Sequence, residues 1–244
     1  MWNLIRANVI RLFRNVVFIG GLGIAFGCTM IFEIMKPMEV MVSMGENRIM
    51  IFVSAAIVLF FSFFTPLFVG TEYADGVIRN KMIAGHSQLT IYLSDYITMI
   101  IAMLMMMGFW FFGGLSGGAK ITGNLLSYIA VAVCYNTAYL AIMMAFCFRI
   151  KHKIWSMIVC MGVFYASTNL VLIGNLFLAF SEGQMLKIMK VFYHCNLLGQ
   201  YFTHLGFSGE REMLGNGIQM LLSGVIFVIA YLAGTMELKH RDVK

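Results

Sequence analysis

Charge is what this sequence has least of. Only 11% of its 244 residues are Asp, Glu, Lys or Arg, less than half the roughly 25% of a typical soluble domain. With 61% hydrophobic residues, a mean hydropathy of +0.86 and apolar runs of about 20 residues, the chain reads as an integral membrane protein. The net charge of +6 is divided among short connecting segments and forms no single basic patch. That distribution speaks for membrane orientation and against a nucleic-acid partner.

Groups that carry chemistry are also scarce. Cys28, Cys134, Cys147 and Cys160 sit inside or at the ends of apolar runs, and only Cys195 falls in a longer loop. An odd, scattered set offers neither a disulfide framework nor metal-ligand spacing and fits buried thiols packing as small hydrophobes. No G-x-x-x-x-G-K-[ST] loop is present, so the chain has no nucleotide-triphosphate site of its own. The spans contain no histidine, and the deep spans hold almost no ionisable residue; Glu33 lies at the far end of the first, and Asn136, Asn169 and Asn175 are the main polar groups. An ATP-independent secondary transporter, which places ionisable groups near the bilayer midplane, is therefore disfavoured.

What the sequence does contain is six spans, predicted at about Val16–Ile34, Ile49–Val69, Tyr96–Gly118, Leu125–Phe148, Ile154–Phe180 and Gly217–Met236. Each is long enough to cross a ~30 Å hydrocarbon core as a helix, and a helix satisfies its own backbone groups where lipid cannot. The fifth is expected to tilt or to break near Gly174. The first is too long for a signal-peptide core and lacks an A-x-A-like cleavage site, so it reads as a retained span. The whole chain is expected to form one transmembrane domain, residues 1–244.

Six spans place both termini on one side. That side collects Arg6, Arg11, Arg14, Arg79, Lys81, Arg149, Lys151, Lys153, Lys239, Arg241 and Lys244, while the other has Lys36, Arg48, Lys120, Lys187, Lys190 and Arg211. The positive-inside bias predicts cytoplasmic termini. Residues 1–15 form an amphipathic pattern, with Ile5, Val9, Leu12 and Val16 on one face and Asn8, Arg11, Arg14 and Asn15 turned away, which suits an interfacial helix. The segment 181–216 is the long connection on the outer side and is expected to hold short helices dipping into that leaflet. His194 and His204 within it are a weak metal signal, since lone histidines more often sit at a polar surface.

Between the second and third spans lies a polar island, GTEYADGVIRNK, residues 70–81. Tyr73 and Val77, and Ala74, Ile78 and Met82, recur at four-residue spacing, with Glu72, Asp75 and Arg79 as an opposite stripe. Thr71 is the expected N-cap, Gly85 the left-handed stop and Ser87 the cap of a second helix leading into the third span. The prediction is an elbow over residues 71–95. Its mixed charge and its glycines, Gly76 and Gly85, fit a protein partner better than a lipid anchor, which favours Lys and Arg.

The stretch LFVGTEYADGVIRNKMIAGHSQLTIYLSD resembles the segment after the second span of ABC-2-type transporter permeases, the membrane subunits of bacterial ABC exporters. Gly70, Glu72, Tyr73, Gly76, Ile78, Arg79, Asn80, Lys81, Gly85 and Ser87 match that pattern. Gln88 and Asp95 depart from it, standing where the family often has arginine and lysine. The resemblance implies an all-α polytopic membrane protein with six transmembrane helices, an N-terminal interfacial helix and a cytoplasmic coupling helix between spans 2 and 3. It implies that Glu72, Tyr73, Asp75, Gly76, Arg79, Asn80, Lys81 and Gly85 dock on a separate ABC ATPase subunit. The expected complex has two ATPase copies, which bind ATP and Mg, and a second permease subunit in a homodimer or heterodimer. This chain would bind no cofactor itself, and it would sit in the bacterial cytoplasmic membrane.

Two further signals are weighed against that reading. GLSGG, residues 114–118, contains the LSGG of ABC ATPase signatures and also matches G-x-S-x-G around Ser116. Without a phosphate loop the first match fails. The second would make the chain a rhomboid-like intramembrane serine protease, which needs a histidine base near Ser116; a glycine-rich span end allowing close helix approach is the simpler reading. Gly23 and Gly27 offer another such contact. The 22 methionines, among them Met103, Met105, Met106 and Met107, are expected mostly to face lipid. A Met- and Phe-lined path without midplane charge would suit amphipathic peptides or lipophilic drugs as substrate.

Overall fold

The computed structural model describes residues 1–35, 47–205 and 214–240, and all regular structure among them is helical. Helix α1 (Trp2–Phe13) turns at Asn15 into α2 (Val16–Met35). The Asn15 side-chain carbonyl accepts the backbone N–H groups of Val17 (3.0 Å) and Phe18 (3.2 Å), satisfying donors that the first turn of a helix leaves unpaired. Then follow α3 (Arg48–Ala74), α4 (Val77–Ile83), α5 (Gln88–Ser116), α6 (Gly123–Arg149), α7 (Lys153–Phe180), α8 (Gly183–Cys195), α9 (Leu197–Leu205) and α10 (Asn216–His240).

Six of these, α2, α3, α5, α6, α7 and α10, are long and apolar enough to cross a membrane. They coincide with the six expected spans, but α3 and α5 run well past the apolar runs that announced them, to Ala74 and back to Gln88. Intrahelical hydrogen bonding continues where the side chains turn polar, because only a backbone break stops it. Helix α7 is unbroken at Gly174, whose bare Cα instead admits the Tyr193 ring; a Cβ there would lie 2.6 Å from it.

The core lies between α3, α5 and α6, with α10 against α6, α2 against α5 and α7 against α3. In the most apolar 18-residue stretch of each span, 56, 50 and 56% of the residues of α3, α5 and α6 are buried, against 28, 17 and 22% of those of α2, α7 and α10. Met103, Met106 and Met107 belong to this core, so the methionine run packs helices together and does not face lipid as expected. A thioether fits the irregular gaps between long helices.

Helices α8 and α9 occupy the segment expected to be the long outer connection, of which residues 206–213 lie outside the described part, as do Lys36, Arg241 and Lys244 elsewhere. They fold back on the bundle: the Tyr201 hydroxyl donates to the Ile51 carbonyl of α3 (2.6 Å).

Helix α1 also lies against the bundle, on α5, and its faces are assigned differently from expectation. Leu4, Ile5, Asn8 and Leu12 are buried against protein, while Trp2, Ile10, Phe13 and, beyond the helix, Val16 are exposed. The apolar stripe at Ile5 and Leu12 thus packs on helices, and a second, broken apolar stripe faces outward. An amphipathic pattern marks which face is buried without saying what buries it.

Candidate functional site

The elbow between α3 and α5 forms at one end of the bundle, and its hinges are glycines. Gly76 (φ +69°) separates α3 from α4, and Gly85 (φ +86°) separates α4 from α5. Both sit in the left-handed region that costs other residues energy. The expected cap at Ser87 forms, accepting the Thr90 N–H at 3.2 Å. The expected cap at Thr71 does not. Thr71 lies inside α3, and its hydroxyl donates to the carbonyls of Leu67 and Phe68.

Moving the break from residue 71 to residue 76 changes the site. On one helix, Glu72, Asp75 and Arg79 would share an outward stripe. Instead Glu72 follows the phase of α3 and is 1% exposed. There it accepts both Lys81 (2.8 and 2.9 Å) and Arg11. The exposed stripe expected to include Glu72 and Lys81 is therefore corrected. Both side chains turn inward, and Asp75, Arg79 and Asn80 remain outside, with Ile83 (76% exposed), Ala84 and Gly85 beyond them. Tyr73 is half-buried with its ring edge against Phe148, and that contact helps fix the end of α3.

The network continues into α5 and α1. Lys81 donates to Asn8 (3.1 Å) and approaches Asp95 (3.4 Å), while the Asn8 amide donates to Asp95 and Ser94. Arg11 also donates to the Phe68 carbonyl (3.3 Å) and lies 3.7 Å above the Phe68 ring, a cation–π arrangement. Arg11 and Lys81 meet the buried side chains of Glu72 and Asp95, so α1, α3, α4 and α5 are tied together through one cluster. Such a cluster fixes relative positions more than it adds stability, since desolvation offsets most of the Coulomb gain.

Asn8, Arg11 and Asp95 are the members that sequence reasoning did not assign to a site. A signal for two of them existed. Asn8 interrupts the buried stripe Leu4, Ile5, Leu12, and Asp95 falls on the buried face with Ile91, Tyr92 and Met99. A polar residue within an apolar stripe needs a buried partner.

At the opposite end hydroxyls and amides bond to one another, and Glu33 near the end of α2 is buried as well. Ser54 meets the Tyr128 hydroxyl, which is 3.1 Å from that of Tyr135. Gln200 donates to the His194 carbonyl (2.9 Å), and Ser223 donates to the Gln200 side chain (2.8 Å). His194 is fully buried with no hydrogen-bond partner on either ring nitrogen. Burial, aided by His204 and Lys190, lowers its pKa to about 4; burial lowers that of His204 as well. Both are neutral imidazoles at pH 7.

Ser116 is exposed at the end of α5, while the His204 ring packs against Tyr128. Neither ring nitrogen of His194, nor Nε2 of His204, is paired with it. The glycines beside it serve close helix contact: a Cβ on Gly113 would lie 2.5 Å from the Phe26 carbonyl, and one on Gly117 2.8 Å from that of Met30. Gly23 and Gly27 face outward, with nothing within 4 Å of a Cβ. Among the described residues, no group of three or more His, Cys, Asp or Glu side chains is placed to hold a metal. No protein-family model matches this chain, and no curated protein or solved structure matches it either.

Proposed function

We propose that this chain is the permease subunit of an ATP-driven exporter of the ABC-2 type, moving an amphipathic peptide or a lipophilic compound across a bacterial cytoplasmic membrane. The observation that carries this reading is the elbow. A short helix with two glycine hinges presents Asp75, Arg79, Asn80 and Ile83 outward, while Lys81 behind it bonds to Asn8 of α1, Glu72 of α3 and Asp95 of α5. A surface held this way transmits a push from a separate ATPase subunit to two spans at once, as a rigid-body movement. ATP and Mg belong to that subunit, in two copies, and the elbow end is then cytoplasmic.

A second permease chain completes the complex. Helix α7 is the least buried span, and its outward face carries Tyr165 (71% exposed) and the partly exposed Asn169 near its middle. Polar groups at that depth are costly against lipid tails and favour a protein neighbour or a water-lined path.

The test is whether an adjacent reading frame encodes an ABC ATPase that co-purifies with this chain, compared for the wild type and the Asp75→Ala/Arg79→Ala variant. The variant is expected to insert normally and lose most bound ATPase, at least tenfold in affinity if about 1.4 kcal/mol is removed. Equal retention of the ATPase by both proteins would sink the docking role.

A further inference from the structure

Helices α2 and α7 both pack on α3, and between them a groove of about 590 Å³ opens toward the surrounding hydrocarbon. The volume is that of an ordinary small-ligand site, but the lining is almost wholly apolar. It starts at Val17 of α2 and ends near Cys28, with Ala56 and Phe60 of α3 as floor, Met161 of α7 as far wall and Trp110 at the inner edge. Eleven residues of helix between Val17 and Cys28 rise about 16 Å. One leaflet of a ~30 Å hydrocarbon core is about 15 Å deep. Along α2 the groove therefore runs about the depth of a single leaflet from the elbow end, and its deep end reaches Val53 of α3 and Trp110 of α5.

Its mouth lies where an interfacial head group would sit. Three residues before Val17, Arg14 is exposed at the α1–α2 corner, and Arg6 is exposed on α1, which carries no acidic residue. Arg11 is occupied by Glu72. Exposed cations at the water end and a leaflet-deep apolar slot below them match an anionic phospholipid. We propose that this groove is a binding site for one acyl chain of an anionic phospholipid from the elbow-end leaflet, with its phosphate held at Arg14. The proposal rests on membrane embedding alone and is independent of the ATP-driven reading.

Trp110 supplies the readout. The Trp2→Phe/Trp155→Phe variant leaves it the sole tryptophan, and this protein is reconstituted in vesicles of phosphatidylcholine with acyl-brominated phosphatidylglycerol or acyl-brominated phosphatidylcholine. Bromine on a chain in the groove is expected to quench Trp110, with phosphatidylglycerol binding about fivefold better. Arg14→Gln should remove that preference, as expected for about 1 kcal/mol per interfacial cation. Ala56→Phe, or Gly20→Leu if the first misfolds, fills the groove and should abolish quenching. Both positions face open space, Ala56 by exposure and Gly20 with nothing near its Cβ.

Quenching that is absent, equal for the two lipids, or unchanged by either filling variant overturns the proposal. So does efficient linkage of two chains through Cys28 by a short bismaleimide, because a second copy would then occupy the groove. None of these readouts involves ATPase activity, so failure here and failure of the transport reading are told apart.

Discussion

The two ends of the bundle bond their buried polar groups in different ways. At the elbow end, Arg11 and Lys81 converge on the buried carboxylate of Glu72, with Asp95 beside Lys81. At the other end Ser54, Tyr128, Tyr135, Gln200, Ser223 and His194 are neutral, and His194 goes without a partner for its ring. Ion pairs fix geometry and resist rearrangement, since breaking one leaves a buried charge uncompensated. Neutral hydroxyls and amides exchange partners at about 1 kcal/mol each. The difference suits the transport role proposed above, in which the elbow would move as one piece.

The largest test of this contrast is Glu72→Ala. It strips Lys81 and Arg11 of their shared carboxylate and should cost about 3 kcal/mol or more. Thermal unfolding in lipid nanodiscs would show a drop of about 10 °C at 2–4 °C per kcal/mol. Survival of the wild-type melting temperature would mean that the ionic cluster does not tie the elbow to the bundle. The Asp75→Ala/Arg79→Ala variant should stay within about 0.5 kcal/mol of wild type, as exposed positions do. The pair of measurements separates the buried clamp from the exposed face proposed to dock.

Acid should find the other end. The folded pKa of His194 lies near 4, below the ~6.5 of an unfolded histidine. Between those values the unfolded chain binds the extra proton, so stability falls as pH drops from about 6.5 toward 4. A loss of about 5 °C in melting temperature over that range is expected, and His194→Gln should flatten most of it. A pH profile identical in the variant would assign the acid sensitivity elsewhere. The smallest effect is that of Tyr201→Phe, which removes the hydroxyl bridging α9 to the Ile51 carbonyl and should cost about 1 kcal/mol. Hydrogen exchange should then rise in α9 while α4 is unchanged; faster exchange in α4 would show that the two ends are coupled.

The six spans were legible because 20 consecutive apolar residues have few alternatives in a folded chain. The turn at Gly85 and the cap at Ser87 were equally readable, since each depends on its own few residues. Glu72 was misread for a reason of phase. Its apparent stripe with Asp75 and Arg79 assumed one helix, whereas the hinge at Gly76 puts Glu72 on α3 and Arg79 on α4. The same limit applies to α1, where periodicity showed a buried face at Ile5 and Leu12 without showing that α5 covers it.

By itself, then, the sequence determined that this is a helical chain with six membrane-length segments and a glycine-hinged polar elbow, because length, hydropathy and backbone permissiveness are properties of short stretches. Only the tertiary structure decided which charges face out. Lys81 could have bonded to water or to a partner, and it bonds to Glu72 and Asp95 because α3, α4 and α5 bring residues nine and fourteen positions away within reach. Charge pairing across helices depends on distances that no local pattern encodes, and here those distances separate the clamp from the surface left free for a partner.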